Sequence, residues 1–208
     1  MNEKFFGLSK EKQFAIINAG FEVFARNEYK RASTDEIGRI AGISKGLLFY
    51  YFHNKKSFYL FLFDYAFQRV TEYVLNADIE RYTDFFELCE YSAKKKQEML
   101  NSSPYLFDFL LRAFYSKKED VSEELNKRLS AILSQMYENY FKNIDTSKFK
   151  PGVNPQEILQ MMTLLADGYI HELQRAGKHM TIDEFMKKYK RWVLLFKQMA
   201  YKEEFIHD

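Results

Sequence analysis

Apolar residues recur every three to four positions along this chain, and no run alternates strictly between turn dipeptides. That period belongs to helices, so the sequence predicts an all-α protein of about nine of them. Their starts are marked. Ser9 can cap a helix carrying Phe14, Ile17, Phe21 and Phe24 on one face, with a smaller strip of Ile16 and Val23 beside it. Ser33-Thr34-Asp35-Glu36 has the form of a capping box, in which Ser33 accepts from the Glu36 amide and Glu36 reaches back. This helix stops where Gly42 follows Ala41, and Ser44 caps the next, KGLLFYYF. Two short helices joined by Gly42-Ile43-Ser44 have the spacing of a helix-turn-helix.

Asn54 opens a long helix, to about Asn76, whose thin polar stripe is Asp64, Gln68, Thr71, Glu72 and Asn76. The rest of it is largely apolar, which predicts deep burial. Further helices are expected over about 84–100, from Ser103-Pro104 with proline at the first helical position, and through SEELNKRLSAILSQMYENYFKNI. DTSKFKPGVN is the clearest loop. Asn154-Pro155 starts a helix that runs to about Ala176 and stops at Gly177; Thr181-Ile182-Asp183-Glu184 is a second capping box and opens the last helix, to about Tyr201. Both of these helices carry apolar residues on more than one stripe: Ile158, Leu159, Met161, Met162, Leu164, Leu165, Tyr169, Ile170 and Leu173 on the first, and Phe185, Met186, Tyr189, Trp192, Val193, Leu194, Leu195, Phe196 and Met199 on the second. One face serves a core. The second predicts a partner surface, so the helices at about 155–176 and 182–201 are expected to pair with a second copy; central burial within one copy is the other reading of the same stripes.

Charge divides the chain unevenly. Residues 1–57 hold ten Lys/Arg against six Asp/Glu, whereas the remainder holds 21 against 23. A basic head on a faintly acidic body points to a polyanionic partner at one end. The longest apolar runs, Leu47 to Phe52 and Phe58 to Phe63, are far short of the ~20 residues of a membrane span. No signal-peptide pattern opens the chain, and the one cysteine, Cys89, rules out an internal disulfide; a reducing cytoplasm is the expected compartment. Catalytic signatures such as GxSxG, HExxH, the P-loop and GxGxxG do not occur, and His53, His171, His179 and His207 are scattered. We therefore expect no enzyme, no metal and no cofactor.

In a helix-turn-helix, the N-terminal residues of the second helix face base edges in the major groove. Here these are Ser44, Lys45, Gly46 and Leu47. Lys45 has the reach for a guanine edge or a phosphate. Gly46 costs a helix about 1 kcal/mol relative to alanine, and close approach of the backbone to DNA would offset it. Leu48 and Phe52 lie four apart and belong to the core, with Phe49 beside them; Tyr50 and Tyr51 fall on the other side, with hydroxyls suited to phosphates. Lys55 and Lys56 sit in the first turn of the next helix, against its dipole, and a phosphate there would resolve the conflict. Ser33 and Thr34 offer a similar helix start.

The stretch ASTDEIGRIAGISKGLLFYYFHNKKSF resembles the signature of the TetR family of bacterial transcriptional regulators. Matching positions include Phe24, Tyr29, Thr34, Ile37, Ala41, Gly42, Ser44, Gly46, Leu48, Tyr51, Phe52, Asn54 and Lys55, within about the first 60 residues. The resemblance implies a DNA-binding domain at 1–54 and a helical ligand-binding and dimerisation domain at 55–208. It implies a homodimer on double-stranded DNA at a palindromic operator, released by a small-molecule effector. By position, the DNA contacts fall on Ser33, Thr34, Ser44, Lys45, Gly46, Leu47, Phe49, Tyr50, Tyr51 and Lys55; the ligand-binding residues stay unknown. An apolar or aromatic effector suits the abundance of Phe, Tyr and Met. A regulator of the same fold without an effector, or an activator, is the alternative. Three departures stand out. Glu28 replaces the glycine that ends the first helix, so Asn27 or Glu28 should take the left-handed turn. Gly38 replaces an alanine and should loosen its helix. Phe49 lacks the hydroxyl of the more common tyrosine.

Overall fold

The computed structural model describes residues 3–75, 79–115, 120–178 and 181–206. Within them the chain forms nine α-helices: α1 (Lys10–Arg26), α2 (Thr34–Ala41), α3 (Lys45–Phe52), α4 (Lys55–Leu75), α5 (Phe85–Asn101), α6 (Pro104–Tyr115), α7 (Ser122–Phe141), α8 (Pro155–Arg175) and α9 (Ile182–Ala200). Among the described residues there is no β-sheet, only an antiparallel bridge between Phe149 and Tyr201. His179, His207 and Asn76, the expected end of α4, lie outside the described residues.

Side chains at the helix starts cap them where their spacing predicts, although at Ser33 only half of the expected box forms, with no bond from the Ser33 amide back to the Glu36 carboxylate. The hydroxyls of Ser9, Ser33 and Ser44 accept from the amides of Lys12, Glu36 and Leu47. Asn54 Oδ1 accepts from the Ser57 amide at 2.8 Å. At Thr181 the reciprocal capping box with Glu184 is complete.

The chain groups into two compact units. The first comprises residues 1–71 and 102–134. In it α1 packs on α2 and α6 around a ring-filled core. Phe24 meets Tyr59 with ring centroids 4.8 Å apart, Phe52 meets Phe58 at 4.6 Å, and Tyr59 meets Phe109 at 5.2 Å. Such pairs add about 0.5–1.5 kcal/mol each beyond the area they bury. α4 is deeply buried at Phe58, Tyr59, Leu62, Phe63 and Ala66, but Gln68 and Arg69 are exposed. Asp64, on its polar stripe, pairs with Arg128 of α7. The buried stripe of α1 holds Ile16, Ile17, Phe21, Val23 and Phe24. Phe14 does not join them; it lies at the margin of the stripe and is 48% exposed. Gln13 takes an inner position instead, because its Nε2 donates to the carbonyls of Phe6 (3.1 Å) and Leu8 (2.8 Å) and so ties down the segment before α1.

The second unit comprises residues 72–101 and 135–208. α5 and α9 form its main packing, with α8 against α9. Phe85, Phe86, Phe149, Met162, Val193 and Tyr201 are core residues, joined by Cys89, whose thiol burial pushes up to about 12. Asp84 organises one end. Its Oδ1 accepts from the amides of Phe86 (2.9 Å) and Glu87 (3.1 Å), and its Oδ2 takes the Lys148 ammonium at 2.8 Å. Burial disfavours the Asp84 charge, but hydrogen bonds from Lys148 and the Glu87 amide outweigh it and hold the pKa below the usual carboxylate value.

Candidate nucleic-acid interface

The segment Thr34–Phe52 builds the site. Gly42 ends α2 in the left-handed conformation, φ 68°, where a Cβ is costly. The chain then turns through Ile43, whose amide bonds the Gly38 carbonyl at 2.9 Å, into the Ser44 cap of α3. Gly38 is close-packed here. A Cβ on it would lie 2.7 Å from the Ile43 carbonyl oxygen. The expectation that Gly38 loosens α2 is thus overturned: it lets the turn approach the helix and sets the spacing of the two helices.

The first departure also resolves differently from expectation. Asn27 leaves α1 in an extended conformation, φ −127°, and among described non-glycine residues only His53 has a positive φ. Neither Asn27 nor Glu28 takes a left-handed turn. The Glu28 carbonyl instead accepts from the amides of Arg31 and Ala32 in a tight local turn.

His53, at φ 66° and ψ −48°, lies between α3 and α4. The Asn54 amide donates to the Phe52 carbonyl at 2.8 Å across it, the pattern of a γ-turn that is rare and strained for an L-residue. This corner, with Phe52 packed on Phe58, fixes the angle at which α3 leaves the core.

α3 is anchored by Leu48, Tyr51 and Phe52. The helical angle puts Tyr51 beside Tyr50 on the outer face, yet Tyr51 is only 7% exposed, because its ring packs on Phe5 at 6.0 Å. Phe5 belongs to a 3-10 turn, Glu3–Phe5, and is fully buried against Phe52 and Phe61. The outer face presents Ser44, Lys45, Gly46, Leu47 and Tyr50, with Phe49 half-buried. A Cβ on Gly46 would meet only Ser44 Oγ, at 3.8 Å, so nothing in the chain itself requires glycine there.

Three cations surround this face. The Lys45 ammonium pairs with Asp35 at 2.8 Å, both side chains being well exposed. Such a pair is worth about 0–1 kcal/mol and yields readily to a stronger anion. Lys4 lies 5.4 Å from the Tyr50 ring centroid, and hydrogen bonding to Tyr50, then its charge, raises the Lys4 pKa. Lys55 differs from expectation: its ammonium turns back to the carbonyls of Lys30 (3.2 Å) and Ala32 (2.9 Å) and over the Tyr29 ring at 4.7 Å. It pins α4 to the loop after α1. Ser33 is exposed with its hydroxyl on the Glu36 amide, and Thr34 is buried. Ser33, Ser44, Lys45, Gly46, Leu47 and Tyr50 are thus at the surface, whereas Thr34, at the start of α2 as expected, and Tyr51, expected on the outer face, are buried. Sequence reasoning missed Lys4, Phe5 and His53. The Phe5-Phe6 pair just ahead of the Ser9 cap was the available signal, as an apolar residue before a cap tends to pack back on the structure.

Comparison with known proteins agrees with this geometry. Residues 16–60 match the family described as bacterial regulatory proteins, tetR family. The chain is 33% identical over 67 residues to the uncharacterized HTH-type transcriptional regulator YuxN of Bacillus subtilis, a stretch that is 32% of this chain and 23% of that protein. The fold is that of NalD, the secondary repressor of the MexAB-OprM multidrug efflux pump in Pseudomonas aeruginosa (TM-score 0.67, 16% identity, 94% of this chain and 100% of that one). It is also that of the transcriptional regulator FadR from Bacillus subtilis in complex with stearoyl-CoA (TM-score 0.64, 19% identity, 88% and 96%). The helix-turn-helix thus matches the tetR-family model in sequence over residues 16–60, and the chain as a whole shares the fold of NalD and FadR.

Proposed function

We propose that the chain is a homodimeric repressor that binds a palindromic operator in double-stranded DNA and is released by a small apolar or aromatic ligand. One observation carries the DNA reading. α3 is fastened by Leu48, Tyr51 and Phe52 and turns Lys45, Gly46, Leu47 and Tyr50 outward, where no side chain of the chain requires the glycine. In this reading Lys45, Gly46 and Leu47 meet base edges. Ser33, Ser44, Tyr50 and Lys4 meet phosphates, Thr34, Phe49 and Tyr51 support them, and Lys55 adds charge from the position in which two carbonyls hold it. Residues 1–54 act as the DNA-binding domain and 55–208 as the ligand-binding and dimerisation domain, in the cytoplasm. No described helix is long and apolar enough to cross a membrane.

Exposed Met161, Leu164 and Leu165 on α8 and Leu194, Leu195 and Met199 on α9 support pairing with a second copy. Gly168 lies along the same stretch of α8, and a Cβ on it would have no atom within 4 Å, which leaves room for a crossing helix. Such a dimer would set two α3 helices about 34–36 Å apart, one turn of DNA. The ligand would favour a dimer that no longer meets this spacing. For effector release, support comes from FadR, the same fold in complex with stearoyl-CoA.

Footprinting on the DNA upstream of the chain's own coding region tests the reading. A protected inverted repeat with half-sites one turn apart is expected. Binding that shows no sequence preference at physiological salt would overturn it, and ligand screening for release separates a ligand-controlled repressor from an effector-free regulator or an activator.

A further inference from the structure

Between the C-terminal turns of α8 and the first half of α9 lies an open groove of about 500 Å³. Lys178, Lys187, Lys188 and Arg191 line it, with Tyr169 and Leu173 supplying its apolar part. Its one carboxylate, Glu184, is committed to the helix cap: the Thr181 amide and hydroxyl donate to Glu184 Oε2 at 3.0 and 3.1 Å. None of the four cations forms an ion pair among the described residues. Lys187 acts weakly on Asp183, whose carboxylate is held by Gln97 (2.6 Å) and Asn101 (3.1 Å).

This arrangement is unfavourable for the protein alone. Lys187 and Arg191 are four residues apart on one helix and Lys188 and Arg191 three, so the like charges face each other. Lys178 follows the C-terminus of α8, where the helix dipole welcomes a cation, but Lys187 and Lys188 stand in the second turn of α9, near its positive end. An anion seated between them would remove the repulsion. An arginine fork together with lysines matches phosphate oxygens better than a single carboxylate, which would leave most of the charge unmatched.

We propose that this groove binds a small polyanion, a molecule carrying two or more phosphate groups. The Tyr169 ring, held edge-on to Trp192 at 5.5 Å, offers a wall for a group attached to the phosphates.

Calorimetric titration of the full-length protein with sodium tripolyphosphate, and separately with ATP, tests this at roughly physiological salt, where diffuse surface charge is screened. One saturable site per chain is expected. Lys188→Ala/Arg191→Ala should weaken it at least about tenfold, while Lys190→Ala/Lys197→Ala, on the same helix outside the groove, should leave it unchanged. Alanine suits exposed helical positions, so the variants should fold; Lys188→Gln/Arg191→Gln serves if the alanine pair does not. Tighter binding of ATP than tripolyphosphate would add the Tyr169 wall to the site, and equal binding would assign recognition to the phosphates. Absence of saturable binding to either probe, or equal weakening by both variant pairs, would overturn the proposal.

Discussion

Replacing Lys55 with methionine keeps the stem of the side chain and removes the ammonium. The structure holds that ammonium on the carbonyls of Lys30 at 3.2 Å and Ala32 at 2.9 Å and over the Tyr29 ring. A hydrogen bond from a charged donor is worth about 1.5–3 kcal/mol, and an exposed cation–π contact about 0.5–1 kcal/mol. The Lys30 contact is exposed and only the Ala32 contact partly buried, so the whole pin should contribute about 2 kcal/mol. In a chain of 208 residues this is a fall in melting temperature of roughly 4–8 °C. Binding to a random-sequence duplex, followed by fluorescence anisotropy across salt concentrations, reads the second role. Loss of one phosphate contact lowers the salt slope by about 0.9. A lowered melting temperature with an unchanged slope would confine Lys55 to holding the head together and remove it from the interface. An unchanged melting temperature would refute the pin itself.

Gly46→Ala should stabilise the free protein by up to about 1 kcal/mol in urea melts, since the site is open, yet weaken operator binding about tenfold; retained affinity would show that the backbone does not approach DNA closely. Asp35→Ala should tighten duplex binding several-fold at low salt by releasing Lys45, and weaker binding would count against the pair as a restraint. His53→Gly should raise stability by about 1 kcal/mol by relieving the left-handed corner, and a fall in melting temperature would contradict the strain. Lys148→Met should cost about 3 kcal/mol at neutral pH, because it leaves Asp84 buried and unpaired. The folded pKa of Asp84 is depressed, so the pair stabilises the chain above the ordinary carboxylate value of about 4 and that stability is lost as pH falls through the lower folded value. Urea midpoints of variant and parent should therefore converge in acid; a gap independent of pH would refute the assignment.

Local chemistry was legible in the sequence wherever it acts within a few residues. Ser9, Ser33, Ser44, Asn54 and Thr181 cap the helices that their spacing announces, and Gly42 takes the left-handed turn. These are contacts across two to four residues, set by backbone geometry whatever surrounds them. The helix-turn-helix and its outward Lys45, Gly46, Leu47 and Tyr50 follow from the same local rules. What depended on distant partners was not legible. Gly38 gives no sign in the sequence that a carbonyl five residues on would crowd its Cβ. Tyr51 turns inward because Phe5, nearly fifty positions earlier, supplies a ring to cover it. Lys55 follows no dipole rule because two carbonyls from another loop arrive within reach of its ammonium. Burial of one stripe over its neighbour, as with Gln13 inside and Phe14 outside, was likewise decided by which elements met across the core, since helical period marks an apolar face but not its exact centre.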